Sequence, residues 1–324
     1  MSTNYKYGLS VYGIPLPCGG DEALTFGTRY FVDGTNGNDD NLGKTPNTAF
    51  ATIQRAINVQ TADTTGLGDV IYVFPGVYAE GLTGTLTKVS LIAVGGNWGN
   101  GPNAVVVYPA SASPLAEITT NQAQISNFTF VSPSTSTTLP AAHFANMRWT
   151  TFSNNALIGG SAACITGLQI GNETGVATAA NCDFNRISNN YIGTVFGATY
   201  EFENGIKIGR VAYDAGASVK HCHSTIIDNN NIFASTYGIY LGVYGGSSNG
   251  TIIQGNKITS WENTAPAGVT TAAIAAYASN FAMVVGNYCA QTNASAAITG
   301  FEAGNVIGNK TTQNAVGKNE AAIA

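Results

Sequence analysis

Charged side chains are scarce in this sequence. Asp, Glu, Lys and Arg together make up 10% of the 324 residues, against roughly 25% in an average soluble protein. Lys and Arg number 13 and Asp and Glu 18, which gives a formal net charge of −5. A protein that binds nucleic acid without regard to sequence needs a basic stripe to neutralise phosphates, so we expect no nucleic-acid partner.

Long apolar runs and paired cysteines are also missing. The longest wholly apolar run, residues 272–278, is far shorter than the roughly 20 residues that cross a bilayer. The first residues lack the basic-then-apolar layout of an export signal. The five cysteines contain no C-x-x-C pair, which predicts buried thiols rather than disulfides or metal ligands. We therefore expect a protein with no membrane segment and no cofactor, made in a reducing cytoplasm.

The N-terminal third divides into an arm and the start of a folded domain. Residues 1–28 scatter Gly, Pro and aromatic residues without a period, which predicts an extended docking arm, and residues 29–324 are assigned to one domain. A helix is predicted at about residues 47–60, capped by Asn47 or Thr48. Its apolar face carries five residues at helical spacing: Ala49, Ile53, Ala56, Ile57 and Gln60.

A repeat begins beyond residue 120. An apolar residue, two further residues and an asparagine recur at steps of 22 to 40 residues. The asparagines are Asn155, Asn190, Asn230, Asn256, Asn287 and Asn309. A second strand signal recurs between them, at Cys164–Ile165, Gly205–Ile206, Gly238–Ile239, Ala273–Ile274 and Ala297–Ile298.

These repeats predict an all-β, single-stranded parallel β-helix. Stacked coils would place the asparagines one above another, about 4.8 Å apart, where their amides satisfy one another. Gly or Asn before each of them suits a corner with positive φ. The alternative is an antiparallel sandwich in which these are unrelated hairpin turns. It is disfavoured because Gly precedes Asn in three copies, the reverse of the hairpin order.

One stretch resembles a known superfamily. The sequence YFVDGTNGNDDNLGKTPNTAFATIQRAIN, followed by DVIYVFPGVYAE, is similar to the opening of right-handed β-helix proteins of the pectate-lyase-like superfamily. The resemblance covers about residues 29–80. It implies that the helix caps the open end of the solenoid and that the Pro-Gly-x-Tyr turn closes an early coil. Enzymes of this superfamily are mostly lyases, hydrolases and esterases that act on polysaccharides.

No catalytic motif of that superfamily is present, so candidate residues come from charge density alone. Residues 183–228 are rich in ionisable groups, and if the protein is an enzyme the candidates are Glu201, Glu203, His221 and Asp228. Such a carboxylate and histidine pair would suit a polysaccharide lyase or glycoside hydrolase. The alternative is that these groups are ordinary charges on exposed loops.

Two other features are weaker candidates for binding sites. The loop at residues 33–41 is rich in oxygen ligands, and Asp33, Asp39 and Asp40 make it a weak candidate for Ca²⁺. Aromatic side chains predict either core packing or a platform for sugar rings. They are Trp98, Trp149, Trp261, Tyr237, Tyr240 and Tyr244.

Taken together, these features favour a structural protein of a phage virion: a decoration, fibre or spike subunit. The arm would dock onto other virion proteins, and charge-free stretches such as 118–147 and 263–301 suit contacts between copies in a homotrimer. The arm, with its YGIP sequence, also resembles β-helix proteins of environmental phages. The alternatives are a polysaccharide-degrading enzyme and an adhesin that binds cell-surface glycan without cleaving it.

Overall fold

The computed structural model describes most of the domain in separate ranges. They are 10–11, 14–15, 27–62, 68–95, 104–109, 113–132, 139–159, 165–171, 180–194, 202–209, 219–242, 248–259, 272–279, 282–291, 297–301 and 305–313. Of the predicted arm, only the antiparallel pair Ser10–Val11 and Ile14–Pro15 and residues 27–28 fall within these ranges. The boundary between arm and domain stays a prediction.

The first face of the domain is a ten-stranded sheet, called sheet I here. Neighbouring strands belong to successive coils, and each pair is parallel and in register, as Ile187 and Ile227 illustrate. Its strands are Arg29–Val32, Asp69–Val73, Val89–Ala93, Gln124–Ser126, Thr151–Ser153, Arg186–Ser188, Ile226–Asp228, Ile252–Gln254, Met283–Val285 and Val306–Ile307.

The other strands form an eighteen-stranded sheet with two faces. One of these two faces, called sheet II, comes after sheet I along the chain. Its strands are Gly76–Tyr78, Val105–Val107, Thr129–Val131, Ala156–Ile158, Tyr191–Gly193, Lys257–Thr259, Tyr288–Gln291 and Lys310–Gln313. Sheet III contains Leu82–Thr87, Leu115–Asn121, Ala142–Arg148, Thr166–Ile170, Ala180–Asp183, Phe202–Gly209, Val219–His221, Ala272–Ser279 and Ile298–Phe301. Asn231–Gly242 runs through both faces.

This topology is a right-handed parallel β-helix, as predicted. Among the described strands, every pairing within the domain is parallel, and the antiparallel pair lies in the arm. A sandwich built from hairpins requires antiparallel neighbours, so that alternative is wrong. Successive coils contribute strands to the three faces, with two sheet III strands each in the coils that contain Ala156–Ile158 and Tyr191–Gly193, and the apolar side chains of all three faces meet in one core.

The core is built from rows of like residues. In sheet I the central residue of each short strand points inward, so that Ile187, Ile227 and Ile253 stack in register. Three of the five cysteines fall within the described ranges, and all three are free and buried: Cys182, Cys222 and Cys289. Burial raises the pKa of the Cys289 thiol to about 12.

A column of glycines sets the distance between sheets II and III. A Cβ atom at Gly205 would lie 2.3 Å from Ile232 Cγ2, and one at Gly238 would lie 2.2 Å from Ile258 Cγ2. The registers pair Leu168 with Ile206 and so align Gly167 with Gly205. The first copy of the second strand signal is therefore Gly167–Leu168. The position predicted from the sequence, Cys164–Ile165, was wrong by three residues. The register of this strand is set by the close approach of its glycine to sheet II, and the length of the preceding loop does not indicate it.

The predicted asparagines stand at the corner between sheets I and II, called the ladder corner. The positive φ belongs to the preceding residue in each coil, such as Asn189 at 56° or Gly255 at 62°. That residue's N–H donates to the next coil, as from Asn189 to the carbonyl of Asp228 at 3.2 Å. Gly and Asn are the residues that adopt this left-handed conformation most readily, which explains why both occur there.

The ladder asparagines are joined by repeated hydrogen bonds along the column. The backbone N–H and the Nδ2 of Asn190 both donate to Asn230 Oδ1 at 3.0 Å, and Asn230 Nδ2 also donates to the carbonyl of Ile187 at 2.9 Å. The same pattern continues from coil to coil: Asn155, Asn190, Asn230, Asn256, Asn287 and Asn309. Phe128 takes the ladder position one coil earlier, where its N–H donates to Asn155 Oδ1.

The helix begins later than predicted. It spans Ile53–Ala62, while Pro46–Thr48 forms a short 3₁₀ turn, so the predicted start near residue 47 was wrong. Glu80, which follows the Pro-Gly-x-Tyr turn, accepts the N–H groups of Ile53 and Gln54 at 2.8 and 2.9 Å. Burial raises the pKa of this carboxyl even though both bonds act to lower it. Because the capping residue lies in a turn far along the chain, the sequence around Ile53 does not indicate where the helix begins.

The helix packs its apolar face on the first coils. Ile53 and Ile57 are buried in the common core, and Gln54 exchanges hydrogen bonds with the backbone of Thr83. The neighbouring Tyr78 donates its hydroxyl to the carbonyl of Phe74 across the Pro-Gly turn. Burial raises the pKa of Tyr78 to about 12. Within the described ranges no helix is long and apolar enough to span a bilayer.

Candidate functional site

The corner between sheets III and I repeats the backbone geometry of the ladder corner, five residues earlier in the chain. Each turn again contains one residue with positive φ: Lys88, Gln122, Trp149, Phe184, Ser224 and Gly250. The first five of these N–H groups donate to a backbone carbonyl of the next coil, as from Trp149 to the carbonyl of Asp183 at 2.9 Å. The corner is called the variable corner here, since its six positions hold six different residues.

From Thr150 onward the inward residues of the variable corner are polar and buried, whereas Val89 and Ala123 take this position in its first two turns. Asn185 Nδ2 donates to the carbonyl of Met147 at 2.8 Å, and Asn185 Oδ1 accepts the N–H of Thr150 at 3.0 Å. Thr225 Oγ1 donates to the carbonyl of Cys182 at 2.8 Å. These bonds replace the continuous amide ladder by a mixed column of Thr and Asn. The buried side chains satisfy the hydrogen-bonding groups of the corner, so the outward side chains are not needed to do so.

Two of the outward residues are large aromatics in a conformation that suits neither. Trp149 has φ 51° and Phe184 has φ 57°. A left-handed conformation costs a bulky L-residue about 1–2 kcal/mol relative to its ordinary conformations. Strain of this kind concentrates at functional sites.

The two rings stack on each other in solvent. Their centroids lie 4.0 Å apart and their planes differ by 7°, so each ring covers one face of the other. Trp149 is nevertheless 51% exposed and Phe184 is 42% exposed. Stacked aromatic pairs contribute about 0.5–1.5 kcal/mol, which is less than the combined conformational cost of about 2–4 kcal/mol for two bulky residues at positive φ. Stability alone therefore does not explain this pair.

A row of polar groups flanks the aromatic pair on its sheet III side. Arg148 and Asp183 precede Trp149 and Phe184 in successive coils, and Arg148 Nε lies 3.9 Å from Asp183 Oδ2. His223 stands at the same place in the next coil, and its backbone N–H donates to Asp183 Oδ1 at 3.0 Å. The side chain of Asp183 is 8% exposed while that of Arg148 is 43% exposed.

A second ion pair flanks the aromatic rings on the sheet I side. Arg186 Nη2 and Nε donate to the two carboxylate oxygens of Asp228 at 2.7 and 3.2 Å. Asp228 is buried and Arg186 is largely exposed, and their hydrogen bonding raises the pKa of Arg186. The guanidinium groups thus face solvent on both sides of the rings. The variable corner therefore presents apolar ring surfaces beside hydrogen-bond donors and acceptors, a combination suited to an amphipathic, hydroxyl-rich ligand.

Of the predicted acid and base residues, the two whose side chains are described lie on different sheets. Glu203 is exposed in Phe202–Gly209 of sheet III, whereas Asp228 ends Ile226–Asp228 of sheet I, where it binds Arg186. His221 ends the strand Val219–His221, of which only the backbone is described, and Glu201 lies outside the described residues. Of the predicted set, Asp228 alone is seen beside the variable corner.

The acidic loop uses its carboxylates to shape the chain. Asp33 Oδ1 accepts the N–H groups of Thr35 and Asn36 at 2.9 and 3.0 Å. Burial acts to raise the pKa of Asp33, but its hydrogen bonds with Asn36 and Thr35 outweigh it and lower the pKa. Asp39 accepts from the N–H and hydroxyl groups of Thr52, and Asp40 is exposed. No group of three or more His, Cys, Asp or Glu side chains that could hold a metal is found among the described residues.

The other predicted aromatic residues are divided. Trp98, Trp261 and Tyr244 lie outside the described ranges. Tyr237 and Tyr240 pack against each other on sheet III with centroids 5.0 Å apart, and Tyr240 is buried. Trp149 is the member that lies at the variable corner. Its partner Phe184 was not among the predicted aromatic residues. Counting six residues back from Asn155 and Asn190 identifies Trp149 and Phe184.

Comparison with known proteins bears on the fold. No family model and no curated protein matches the chain. The solved structure of YbhC from Escherichia coli is similar over 96% of this chain and 91% of its own, with a TM-score of 0.50 and 10% sequence identity. A structure of XylC in complex with xylose has a TM-score of 0.41 and 12% identity, over 88% of this chain and 68% of its own. The first likeness shows the β-helix fold, and no activity follows from it.

The structure does not test the predicted role in a virion. Residues 1–9, 12–13 and 16–26 of the arm lie outside the described ranges, and so does much of the charge-free stretch at 263–301. The homotrimer and the contacts to other virion proteins likewise stay predictions.

Proposed function

We propose that this protein binds polysaccharide, and that the variable corner is its glycan-binding site. The observation that carries the proposal is the exposed stack of Trp149 and Phe184, two bulky residues held at positive φ. Aromatic rings pack against the C–H faces of sugar rings, while the neighbouring guanidinium, carboxylate and imidazole groups suit sugar hydroxyls. This function is that of a glycan-binding adhesin, which is one of the alternatives predicted from the sequence.

Structural explanations account less well for these residues. The backbone bonds of the variable corner are already made by the turns and by the inner column of Thr and Asn. Asn or Gly would take the same backbone conformation at lower cost, as both do at the ladder corner. Two aromatics that are dispensable for folding and costly in conformation are retained for contact with something outside the chain.

Binding is tested with a panel of soluble hexasaccharides: cello-, xylo-, manno-, galacto-, chito- and galacturono-oligomers. The double variant Trp149→Asn/Phe184→Asn removes both rings and keeps residues that accept positive φ. We expect the wild type to bind at least one member in calorimetric titration and the double variant to bind it at least about tenfold more weakly. Lys88→Asn is the matched control, since Lys88 has φ 54° and lies outside the stack.

Two results would contradict the proposal. One is a wild-type protein that binds no member of the panel. The other is a double variant that binds as well as the wild type while Lys88→Asn is also unchanged.

Cleavage of the bound glycan is a second candidate function. The favouring observation is that Asp183, buried and adjacent to the stack, lies between Arg148 and His223 in successive coils. An imidazole beside a carboxylate can serve as a general acid or base. Release of reducing ends from the glycan that binds would support cleavage if Asp183→Asn and His223→Ala each abolish it. Glu203→Gln, an exposed residue of sheet III, is the control that should retain it.

A further inference from the structure

We propose that the outer face of Phe184 binds one pyranose ring of the glycan, inserted at the level of Ser224 in the next coil. This inference rests on the proposed function and narrows it to one subsite. It starts from the fact that the stack has two outer faces. That of Trp149 is turned toward Gln122 and that of Phe184 toward Ser224, because the four residues occupy successive turns of one column.

The exposure of Phe184 locates an accessible ring surface. Trp149 covers one face of its ring, with centroids 4.0 Å apart and planes 7° from parallel. Since the side chain is still 42% exposed, the opposite face and the ring edge must supply that area. A second molecule can therefore continue the stack where the protein ends it.

The space below Phe184 is open because the next two residues of the column are small. Ser224 and Gly250 follow Phe184, and both are exposed. The three atoms nearest to a Cβ added at Gly250 would all belong to Ser224, with Oγ the closest at 3.2 Å. Two coil spacings of about 4.8 Å leave room for a ring stacked at van der Waals distance.

The two ends of the stack are not equivalent. The residue beyond Trp149 is Gln122, whose longer side chain stands at the level that a ligand would need. The residue beyond Phe184 carries only a hydroxymethyl group. Because Ser224 is smaller than Gln122, the geometry favours ligand binding at the Phe184 end of the stack over the Trp149 end.

The rim of this opening indicates the class of ligand. Ser224 offers a hydroxyl, Asn249 beside Gly250 is exposed and offers an amide, and neither is charged. A pyranose with mostly equatorial hydroxyls has one C–H face to place on Phe184 and hydroxyls at its edge for these groups. The subsite therefore suits a pyranose ring within the polysaccharide.

The test fills each end of the stack in turn. Ser224→Phe extends the stack into the proposed subsite, and Gln122→Phe extends it at the opposite end. Titrated with the hexasaccharide panel, Ser224→Phe is expected to bind at least about tenfold more weakly than the wild type, whereas Gln122→Phe is expected to bind equally. Ser224→Asn is a milder variant that accepts positive φ and narrows the opening, and we expect a several-fold loss from it.

The outcomes separate the subsite from the proposed function. If Trp149→Asn/Phe184→Asn loses binding but both Ser224 variants bind like the wild type, the subsite is overturned and the glycan-binding site stands. The same conclusion follows if Gln122→Phe is the variant that loses binding. If no panel member binds the wild type, both fall. Should Ser224→Phe not fold, Ser224→Asn decides alone.

Discussion

The two corners that flank sheet I have the same backbone conformation, but the side chains are repeated at one corner and varied at the other. At the ladder corner the inward residue is Asn in six successive coils, and its neighbour with positive φ is always Asn or Gly from Asn127 onward. At the variable corner the same backbone carries Thr or Asn inside from Thr150 onward, and residues as different as Trp, Phe and Gly outside. Identity repeated from coil to coil marks a structural task. Variation on an unchanged backbone marks the side chains that are free to serve another purpose.

The largest expected effect is at the ladder corner. Asn230→Leu removes the acceptor of both Asn190 donors and the donor to the carbonyl of Ile187, all of them buried. Because several buried polar groups then lack partners, we expect the unfolding free energy to fall by about 3–5 kcal/mol in urea titration. Asn229→Gly is the control, expected to change it by less than about 1 kcal/mol, since Gly255 fills the equivalent place. Equal effects of the two variants would refute the ladder's role.

A smaller loss is expected from the inner column of the variable corner. Asn185→Leu leaves the carbonyl of Met147 and the N–H of Thr150 without their partners. Here the bonds reach only the adjacent coils and are not continued by like residues. We therefore expect a loss of about 2–3 kcal/mol, less than that of Asn230→Leu in the same titration. A loss as large as the ladder variant's would show that the two corners contribute alike.

The ion pair on sheet I is expected to respond asymmetrically. Arg186→Ala leaves the buried carboxylate of Asp228 without its charged partner and should cost about 2–3 kcal/mol. Asp228→Asn leaves an exposed guanidinium that water can solvate and should cost about 1 kcal/mol or less. Thermal melting of the two variants compares them directly. The reverse order would indicate that Asp228 is not held by Arg186 in solution.

The smallest effect on stability is expected from the exposed rings. In Trp149→Asn/Phe184→Asn the lost stacking, about 1 kcal/mol, is offset by relief of two left-handed bulky residues at about 1 kcal/mol each. The unfolding free energy should stay the same or rise by about 1 kcal/mol. Urea titration beside Lys88→Asn measures this difference. A loss above about 2 kcal/mol would mean that the rings are part of the fold.

The sequence alone predicts those parts of the fold that repeat. The ladder asparagines recur with the same neighbours, and apolar residues alternate around them, so coil geometry can be inferred without knowing any contact. The start of the helix could not be inferred, because the cap comes from Glu80, which is 27 residues from Ile53 along the chain. The place of Gly167 in its column likewise depends on how closely Ile192 approaches in the next sheet.

The candidate site was largely hidden for a physical reason. The positive φ of the variable corner is enforced by stacked backbone bonds rather than by residue type, so Trp149 and Phe184 carry no local turn signal. Charge density pointed instead to residues 183–228. That stretch does contain Asp183, Arg186 and Asp228, but Glu203 of the predicted set lies on sheet III, whereas Arg186 and Asp228 lie on sheet I. Only the fixed offset from the ladder links the two corners in sequence.

The most direct test of this account is the melting temperature of the wild type and of Trp149→Asn/Phe184→Asn, each with and without a saturating hexasaccharide that binds the wild type. A ligand that binds only the folded state raises the melting temperature. The account predicts that the glycan raises it for the wild type alone, and that the unliganded variant melts at the same temperature or higher. A variant that is still stabilised by the glycan, or that melts well below the wild type without it, would contradict the claim that these rings serve binding rather than folding.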